Sequence, residues 1–311
     1  MIREVQLALL VDQAPEGDDW LHEQKFDGYR ILADKQGPEV TLLSRRFKDW
    51  TAQFPTVAAA VAELGADHAL LDGEVAVVLP DGRTSFQGLQ NAFTGDASNL
   101  AYFVFDLLEL DGEDLRGLPL EQRKERLRKL VGRKHGLIRY SDHVIGNGGA
   151  FFKLACEKGL EGIVSKRRDK PYSPGRGSSW VKTKCIQRQE LVIGGFTDPE
   201  GARTHIGALL VGYYDRGRLV YAGKVGTGFT MKLLVELARA LAPLEVAKSP
   251  FSPEPARAWT GPNRHWVAPE LVAEVAFGEW TKDGRLRHPS FQGLRRDKRP
   301  LDVVREQPSH A

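Results

Sequence analysis

The octapeptide Glu23-Gln24-Lys25-Phe26-Asp27-Gly28-Tyr29-Arg30 decides the reading of this chain. A lysine stands between two acids, an Asp-Gly turn follows, and the run Tyr29-Arg30-Ile31-Leu32-Ala33 has strand character. By itself a lysine is a surface residue. Three other stretches change that. Leu71-Asp72-Gly73-Glu74 puts carboxylates into an apolar strand, and Glu161-Gly162-Ile163-Val164-Ser165-Lys166 repeats the arrangement. Trp180-Val181-Lys182-Thr183-Lys184 sets two lysines on one side of a strand. Isolated charges in apolar strands are expensive unless something pairs with them. Lysines and glutamates converging on one cleft would cradle a phosphate chain and a hard cation.

Around these stretches the first half alternates strands with helices. Val40 to Leu43, Ala69 to Leu79 and Tyr102 to Leu108 read as strands, and Phe54 to Leu64, Leu120 to Val131 and Ala150 to Lys158 as helices. In the second helix Leu120, Leu127, Leu130 and Val131 share a face, which leaves the Arg/Lys residues to the other. Past about residue 188 the pattern becomes short strands: Glu190 to Phe196, Gly207 to Asp215, Arg218 to Val225 and Leu271 to Trp280. Asp215-Arg216-Gly217 reads as a hairpin turn, Met231 to Leu241 as a helix, and Pro243 to Pro262 as a Pro-rich connector. Several strands with one helix fit a small barrel of the OB type, with a domain junction near Ile186 to Gln189.

The chain has 311 residues, 41% hydrophobic and 27% charged, ordinary proportions for two globular domains. No apolar run approaches the ~20 residues of a membrane span, and Val5 to Val11 lacks the flanks of a secretory signal. Cys156 and Cys185 read as reduced, structural thiols of a cytosolic protein. The eight histidines show no metal-ligand spacing. The net charge of +3 is small, but two stretches are basic. Residues 123 to 134 carry seven Lys/Arg against Glu125, and residues 285 to 305 carry seven against Asp297 and Asp302. The first reads as a solvated helix face, although such clusters also mark nucleic-acid surfaces.

The Lys25-x-Asp27-Gly28-x-Arg30 signature, with the later stretches in order, resembles the covalent nucleotidyltransferases. Within them the chain looks like an ATP-dependent DNA ligase, and most like the ligase module of bacterial end-joining ligase D proteins. The likeness runs from Glu16-Gly17-Asp18-Asp19-Trp20 to Arg299. It includes Phe86-Gln87-Gly88-Leu89-Gln90, Ala222-Gly223-Lys224-Val225-Gly226-Thr227-Gly228-Phe229 and Arg287-His288-Pro289-Ser290-Phe291-Gln292-Gly293-Leu294-Arg295. The resemblance implies an α+β enzyme. An adenylyltransferase domain of antiparallel sheets with helices (residues 1–187) would precede a C-terminal OB-fold barrel (188–311). It implies ATP and Mg²⁺ or Mn²⁺ as cofactors. Lys25 would form a lysyl–AMP phosphoramidate, with Lys182 and Lys184 lowering its pKa and gripping the α-phosphate. Glu23 would meet the adenine edge, Phe105 stack on adenine, and Ile163 or Val164 line its other face. Arg30 and Glu74 would face the ribose, and Glu74 and Glu161 would bind metal. Arg45 would contact nucleotide or the 5′-phosphate, and Arg176 would reach phosphate. Arg295, Asp297 and Lys298 would form an RxDK element acting on the leaving pyrophosphate. Relatives usually read Ser-Arg-Asn-Gly where this chain has Ser44-Arg45-Arg46-Phe47-Lys48, which keeps Arg45 but leaves Arg46 and Lys48 without a role.

The activity implied is sealing of 3′-hydroxyl/5′-phosphate nicks in duplex DNA, in repair or end joining. The partners are nicked or broken DNA and a Ku-like end-binding protein, for a cytoplasmic, nucleoid-associated monomer. An RNA ligase or a GTP-using capping enzyme is the neighbouring alternative. A non-catalytic end-binding module is the distant one, and it would not require Lys25, Glu74, Glu161, Lys182 and Lys184 together.

Overall fold

The computed structural model describes residues 4–86, 88–89, 99–132, 136–199 and 205–308. Gln87 and Gln90 of the ligase-like element, and Arg133 and Lys134 of the basic run, lie outside them. The chain forms two compact units, Met1–Cys185 with Gln307–Ala311, and Ile186–Glu306. Among the described residues no helix is long and apolar enough to cross a membrane.

Two sheets build the first unit. One joins β1 (Gln6–Leu10), β2 (Trp20–Gln24), β8 (His143–Ile145), β9 (Gly162–Arg167) and β10 (Gly175–Lys184) in the order β1-β10-β9-β2-β8. The other joins β3 (Tyr29–Gln36), β4 (Glu39–Ser44), β5 (His68–Val78), β6 (Leu100–Leu110) and β7 (Ile138–Tyr140) in the order β4-β3-β5-β6-β7. The outer face of this second sheet buries Ile31, Leu71, Val75, Tyr102 and Val104 with Val57 and Val61 of helix α1 (Pro55–Ala62). Its inner face meets the first sheet through a smaller cluster of Val5, Leu32, Leu108, Tyr172 and Trp180. The KxDG and EG glycines are forced by close backbone approach. A Cβ on Gly28 would lie 2.1 Å from the Val75 carbonyl oxygen, and one on Gly162 2.1 Å from that of Thr183.

Helix α2 (Leu120–Val131) occupies the expected residues, but its faces differ from the expectation. Arg123 and Lys124 are buried beside Leu120, Leu127 and Val131. They stand three and four residues after Leu120, so the helical period itself puts them on the inner stripe. The basic run is therefore only in part a solvated face.

Helix α3 (Gly148–Glu157) carries Cys156, and Cys185 directly follows β10. The two cysteines form a disulfide with Cα atoms 5.1 Å apart, which corrects the expectation of free thiols. Sequence separation of 29 residues carries no pairing signal; α3 packs on β9, and the Cys185 N–H donates to the carbonyl of Glu161 just before β9, which brings the two cysteines together. Closing a loop of that length stabilises by about 3–4 kcal/mol in the chain-entropy account. Urea unfolding should accordingly show Cys156→Ser, or the reduced protein, less stable by up to that amount. An unchanged midpoint would mean that the bridge does not form in solution.

In the second unit β11 (Gln187–Thr197) is long and bulged between Ile193 and Gly195. One edge pairs with β12 (Ala208–Asp215), which continues into β13 (Arg218–Val225). The other edge pairs with both β14 (Arg264–Val267) and β15 (Val272–Phe277), and β15 in turn with β16 (Ser290–Leu294). One bent strand shared in this way curls the sheet, as a small barrel requires. The β12–β13 turn has positive φ at Arg216 and Gly217, the two-residue hairpin geometry expected there. Helix α4 (Met231–Leu241) starts at Thr230, whose side chain accepts from Leu233 N–H, and buries Leu234, Leu237 and Leu241.

Candidate active site

The inner faces of the two sheets carry nearly all the sequence-derived site residues of the first unit. Register sets Glu23 opposite Val164 and Val164 opposite Lys182, while Lys166 lies beside Leu21 and Trp180. With the period of two, Glu23, Val164, Lys166, Trp180, Lys182 and Lys184 share one face. Ile163 is fully buried and pairs with Thr183 on the opposite face, so Val164 is the member of that pair that lines the cleft. Lys25 extends the β2 ladder by donating its N–H to the Gly162 carbonyl. On the facing sheet Arg30, Glu74 and Phe103 lie in register.

At the centre Lys25 Nζ donates to Glu161 Oε1 at 2.5 Å. Burial opposes the charge on Lys25, but Glu161, with Asp27 and Glu74 nearby, outweighs it and raises the pKa above the ordinary lysine value. The resemblance implies a lowering by neighbouring cations; here Glu161, Asp27 and Glu74 act in the other direction. Asp27 is fixed in turn by donors: its Oδ2 accepts from Phe86 N–H, and its own N–H donates to Thr84 Oγ1. Glu161 Oε2 is buried without a hydrogen-bond partner. An orphaned carboxylate oxygen on the group that pairs with Lys25, a lysine whose charge Glu74 also favours, suits a hard, oxygen-seeking cation. Among the described residues no group of three or more His, Cys, Asp or Glu could hold a metal ion by itself. Nucleotide phosphates and water would have to complete the coordination.

Arg30 forks onto Asp72 at 2.9 and 2.6 Å and donates to the Gln6 carbonyl at 2.7 Å. Tyr172 O–H also donates to Asp72, at 2.9 Å. Arg30 is thus tied into the wall, with its guanidinium 5.2 Å from the Phe105 ring centre. Phe105 also meets Trp180 edge-on at 5.9 Å, and the Lys166 ammonium stands 4.3 Å from both ring centres. Phe103, which the sequence reading passed over, stacks on Phe26 at 4.0 Å, beside the lysine.

Glu23 is 2% exposed, and both its oxygens are engaged. Oε1 accepts from Lys124 at 2.6 Å, and Oε2 from Lys166 at 2.8 Å and Ser141 Oγ at 3.0 Å. Burial would raise the Glu23 pKa, but the two ammonium groups hold it below the usual carboxylate value. Its share of stability is therefore complete above its unfolded pKa of about 4.3 and disappears as pH falls through the lower folded value. The stability gap between wild type and Glu23→Gln should narrow below about pH 4 in urea unfolding. A gap constant from pH 7 to pH 2.5 would contradict this assignment. Lys124 and Lys166 were the residues the sequence reading missed. The signals were the stripe position of Lys124 and the charge of Lys166 within an apolar strand.

Other expected residues are placed less centrally. Arg45 and Arg46 are half-buried in the turn after β4. Phe47 there has φ 59°, so it adopts the left-handed backbone for which glycine is favoured and packs against the inter-sheet cluster. Arg176 donates to the Ala8 carbonyl at 2.8 Å. In the second unit Arg295 forks onto Asp297 at 2.9 and 2.8 Å and reaches Glu274 at 3.2 Å, while Lys298 pairs with Glu190 at 2.7 Å. Burial disfavours the Arg295 charge, but Asp297 and Glu274 hold it firmly cationic.

Comparison with known families decides the kinship. The family model "ATP dependent DNA ligase domain" matches residues 7–184, and "ATP dependent DNA ligase C terminal region" matches residues 202–298. The chain belongs to the ATP-dependent DNA ligases. This ligase chain is 42% identical over 309 residues to the multifunctional non-homologous end joining protein LigD of Pseudomonas aeruginosa, covering 98% of this chain and 36% of that protein. It is 41% identical over 294 residues to LigD of Mycobacterium tuberculosis, covering 94% and 38%. The chain thus spans little more than a third of the length of these relatives. The solved structure of mycobacterial DNA ligase D complexed with ATP and MES superposes with a TM-score of 0.73 at 38% identity, over 97% of this chain and 98% of that one. The fold is accordingly a nucleotidyltransferase domain with a C-terminal OB-fold domain.

Proposed function

We propose that this chain seals 3′-hydroxyl/5′-phosphate breaks in duplex DNA through an AMP carried on Lys25. The observation that carries the reading is Lys25 Nζ held by Glu161 in a cleft whose two walls present Lys182, Lys184, Arg30, Glu74 and Phe105. Lys25 attacks the α-phosphorus of ATP, a P–N bond forms, and the P–O bond to pyrophosphate breaks. Attack needs the amine, so a proton must leave Nζ, and Glu161 Oε1 is the group placed to receive it or relay it to water. Lys182 and Lys184 hold the α-phosphate, Phe105 and Val164 bracket the base, and Arg30 and Glu74 border the ribose. Arg45 is assigned to the nucleotide or the 5′-phosphate. A Mg²⁺ or Mn²⁺ bound by Glu161 and Glu74 would neutralise phosphate charge. The AMP then passes to the DNA 5′-phosphate, and the 3′-hydroxyl displaces it.

DNA is held mainly through its phosphates, so binding should depend steeply on salt and little on sequence. Kinship with proteins named for end joining supports broken DNA ends in the cytoplasm as the setting and a Ku-like end-binding protein as a partner. The test is incubation with labelled ATP or GTP, a denaturing gel, and mass spectrometry of the labelled peptide. AMP on Lys25, with sealing of a nicked duplex, supports the reading. Labelling from GTP alone, or on another lysine, refutes it.

Arg295 and Lys298 are assigned to the departing pyrophosphate, so their loss should be specific to one step. Arg295→Ala and Lys298→Ala should slow lysyl–AMP formation strongly and sealing of a pre-adenylylated nick much less, because no pyrophosphate leaves then. Single-turnover rates on the same preparations decide. An equal or greater loss in the sealing step would reassign both to DNA contact.

A further inference from the structure

Glu23, Lys124 and Lys166 are each no more than 2% exposed, and they join three elements: β2, α2 and β9. Two ammonium groups against one carboxylate leave a buried excess of one positive charge. Ion groups of this kind are a costly way to hold a fold together, since apolar side chains of similar volume often do as well. What they supply is fixed geometry. A carboxylate gripped at both oxygens has a fixed plane, and this one lies two residues before Lys25. Lys124 supplies the grip on Oε1 and is itself fixed by donating to the Ser141 carbonyl at 2.9 Å. Its ammonium also stands 4.6 Å from the Tyr140 ring centre. On the other oxygen Lys166 is aimed back at the rings of Phe105 and Trp180, both 4.3 Å away. Were Lys124 removed, Oε1 would lose its partner, the carboxylate could rotate, and Lys166 would follow it away from the rings.

We propose that Lys124 is a positioning residue for the nucleotide base: from the basic helix it fixes Glu23 and, through Glu23, holds the Lys166 ammonium against Phe105 and Trp180. This rests on the reading above, in which the base packs at Phe105. The role is not catalytic, because Lys124 is buried and its ammonium is taken up by Glu23 and the Ser141 carbonyl. It sets the shape and charge of the pocket wall, and so governs ATP affinity and the choice between ATP and GTP.

The experiment is single-turnover formation of lysyl–AMP on the full chain with ATP varied, repeated with GTP. Lys124→Met should raise the apparent Kd for ATP at least tenfold and reduce the preference for ATP, with a smaller change in the rate at saturation. Lys124→Arg keeps a cation at Oε1 and should stay within about threefold of wild type. A purely structural role predicts a different pattern: a smaller active fraction, seen as burst amplitude, with unchanged Kd and preference. Should Lys124→Met not fold, Lys124→Gln keeps much of the side-chain volume without the charge that grips Oε1, and the same readout applies. Wild-type Kd and preference in either folded variant overturn the proposal. Failure of both variants to fold, judged by circular dichroism, also overturns it, by assigning the lysine to the fold. Absence of AMP on Lys25 in the wild type would instead sink the underlying reading, so the two failures are separable.

Discussion

Lys25→Ala is expected to abolish the covalent AMP adduct, with a fall of at least roughly 10⁴-fold in its rate, the scale on which loss of a catalytic nucleophile acts. No neighbouring side chain offers a substitute. Lys182 and Lys184 lie on another strand, and the proposed function assigns them to the phosphate, not to the attack. Lys25→Arg should be equally inactive for a different reason. A guanidinium keeps the charge and the pairing with Glu161, yet it stays protonated at any working pH and has no free electron pair to donate. The arginine variant therefore separates loss of the nucleophile from loss of the ion pair at 2.5 Å. Both variants should still seal a nick that already carries AMP at a measurable rate, because that step needs no lysine nucleophile. Adduct formation in Lys25→Arg at even a hundredth of the wild-type rate would remove Lys25 from its role.

What the sequence made legible is what local pattern encodes. The span of α2, the β12–β13 hairpin and the span of α4 follow from helical period or turn chemistry acting over a few residues. The site was legible for a related reason. The motif glycines Gly28 and Gly162 are demanded by close backbone approach, since a Cβ at either would lie 2.1 Å from a carbonyl oxygen, and each follows directly on a carboxylate of the candidate site, Asp27 or Glu161. Long-range pairing was not legible. Strand β1 reads only as a short apolar run, and its partner β10 begins more than 160 residues later. The disulfide likewise depends on where a helix end meets a strand end.

The basic helix shows a subtler limit. Treating charge as a marker of exposure put Arg123 and Lys124 on the solvent side, although their spacing from Leu120 places them inside. Arg123 forks onto buried Asp106 at 2.8 Å through both its Nε and its terminal nitrogen, and Lys124 goes to Glu23. Period was the better guide than polarity, because the carboxylates that make their burial tolerable come from distant strands. Lys25 shows the same dependence on distant carboxylates. The two motif lysines suggested a lowered pKa, whereas Glu161, at hydrogen-bond distance, and the acids Asp27 and Glu74 act to raise it.

Glu161 is where activity and stability should part most clearly. Its Oε1 holds Lys25, while its Oε2 is buried with no hydrogen-bond partner. A buried acceptor left unsatisfied costs about 1–3 kcal/mol, so the folded protein carries Glu161 at a disadvantage. Replacing it removes that cost along with the ion pair, and the two changes oppose each other. Lys25 itself keeps 21% of its side chain exposed and has Asp27 and Glu74 nearby, so it is not stranded. Glu161→Gln should therefore alter unfolding free energy by no more than about 1 kcal/mol, the net of two opposing terms of that order. Its effect on adduct formation should be far larger, roughly 10²-fold or more, the scale on which one preorganised charge acts in a water-poor site. Two proposed functions would go together in that loss: the acceptor for the Lys25 proton and an oxygen ligand for a divalent cation. They can be told apart by titrating Mg²⁺ and Mn²⁺. Loss of the ligand raises the metal concentration needed for half-maximal rate and is partly overcome by excess metal. Loss of the proton acceptor lowers the rate at saturating metal. Both readouts should move in Glu161→Gln, with chelator abolishing adduct formation in the wild type. A drop in thermal midpoint equivalent to a core truncation, about 2–5 kcal/mol, with activity falling only in proportion to the folded fraction, would make Glu161 a structural residue and leave the orphaned oxygen without a purpose.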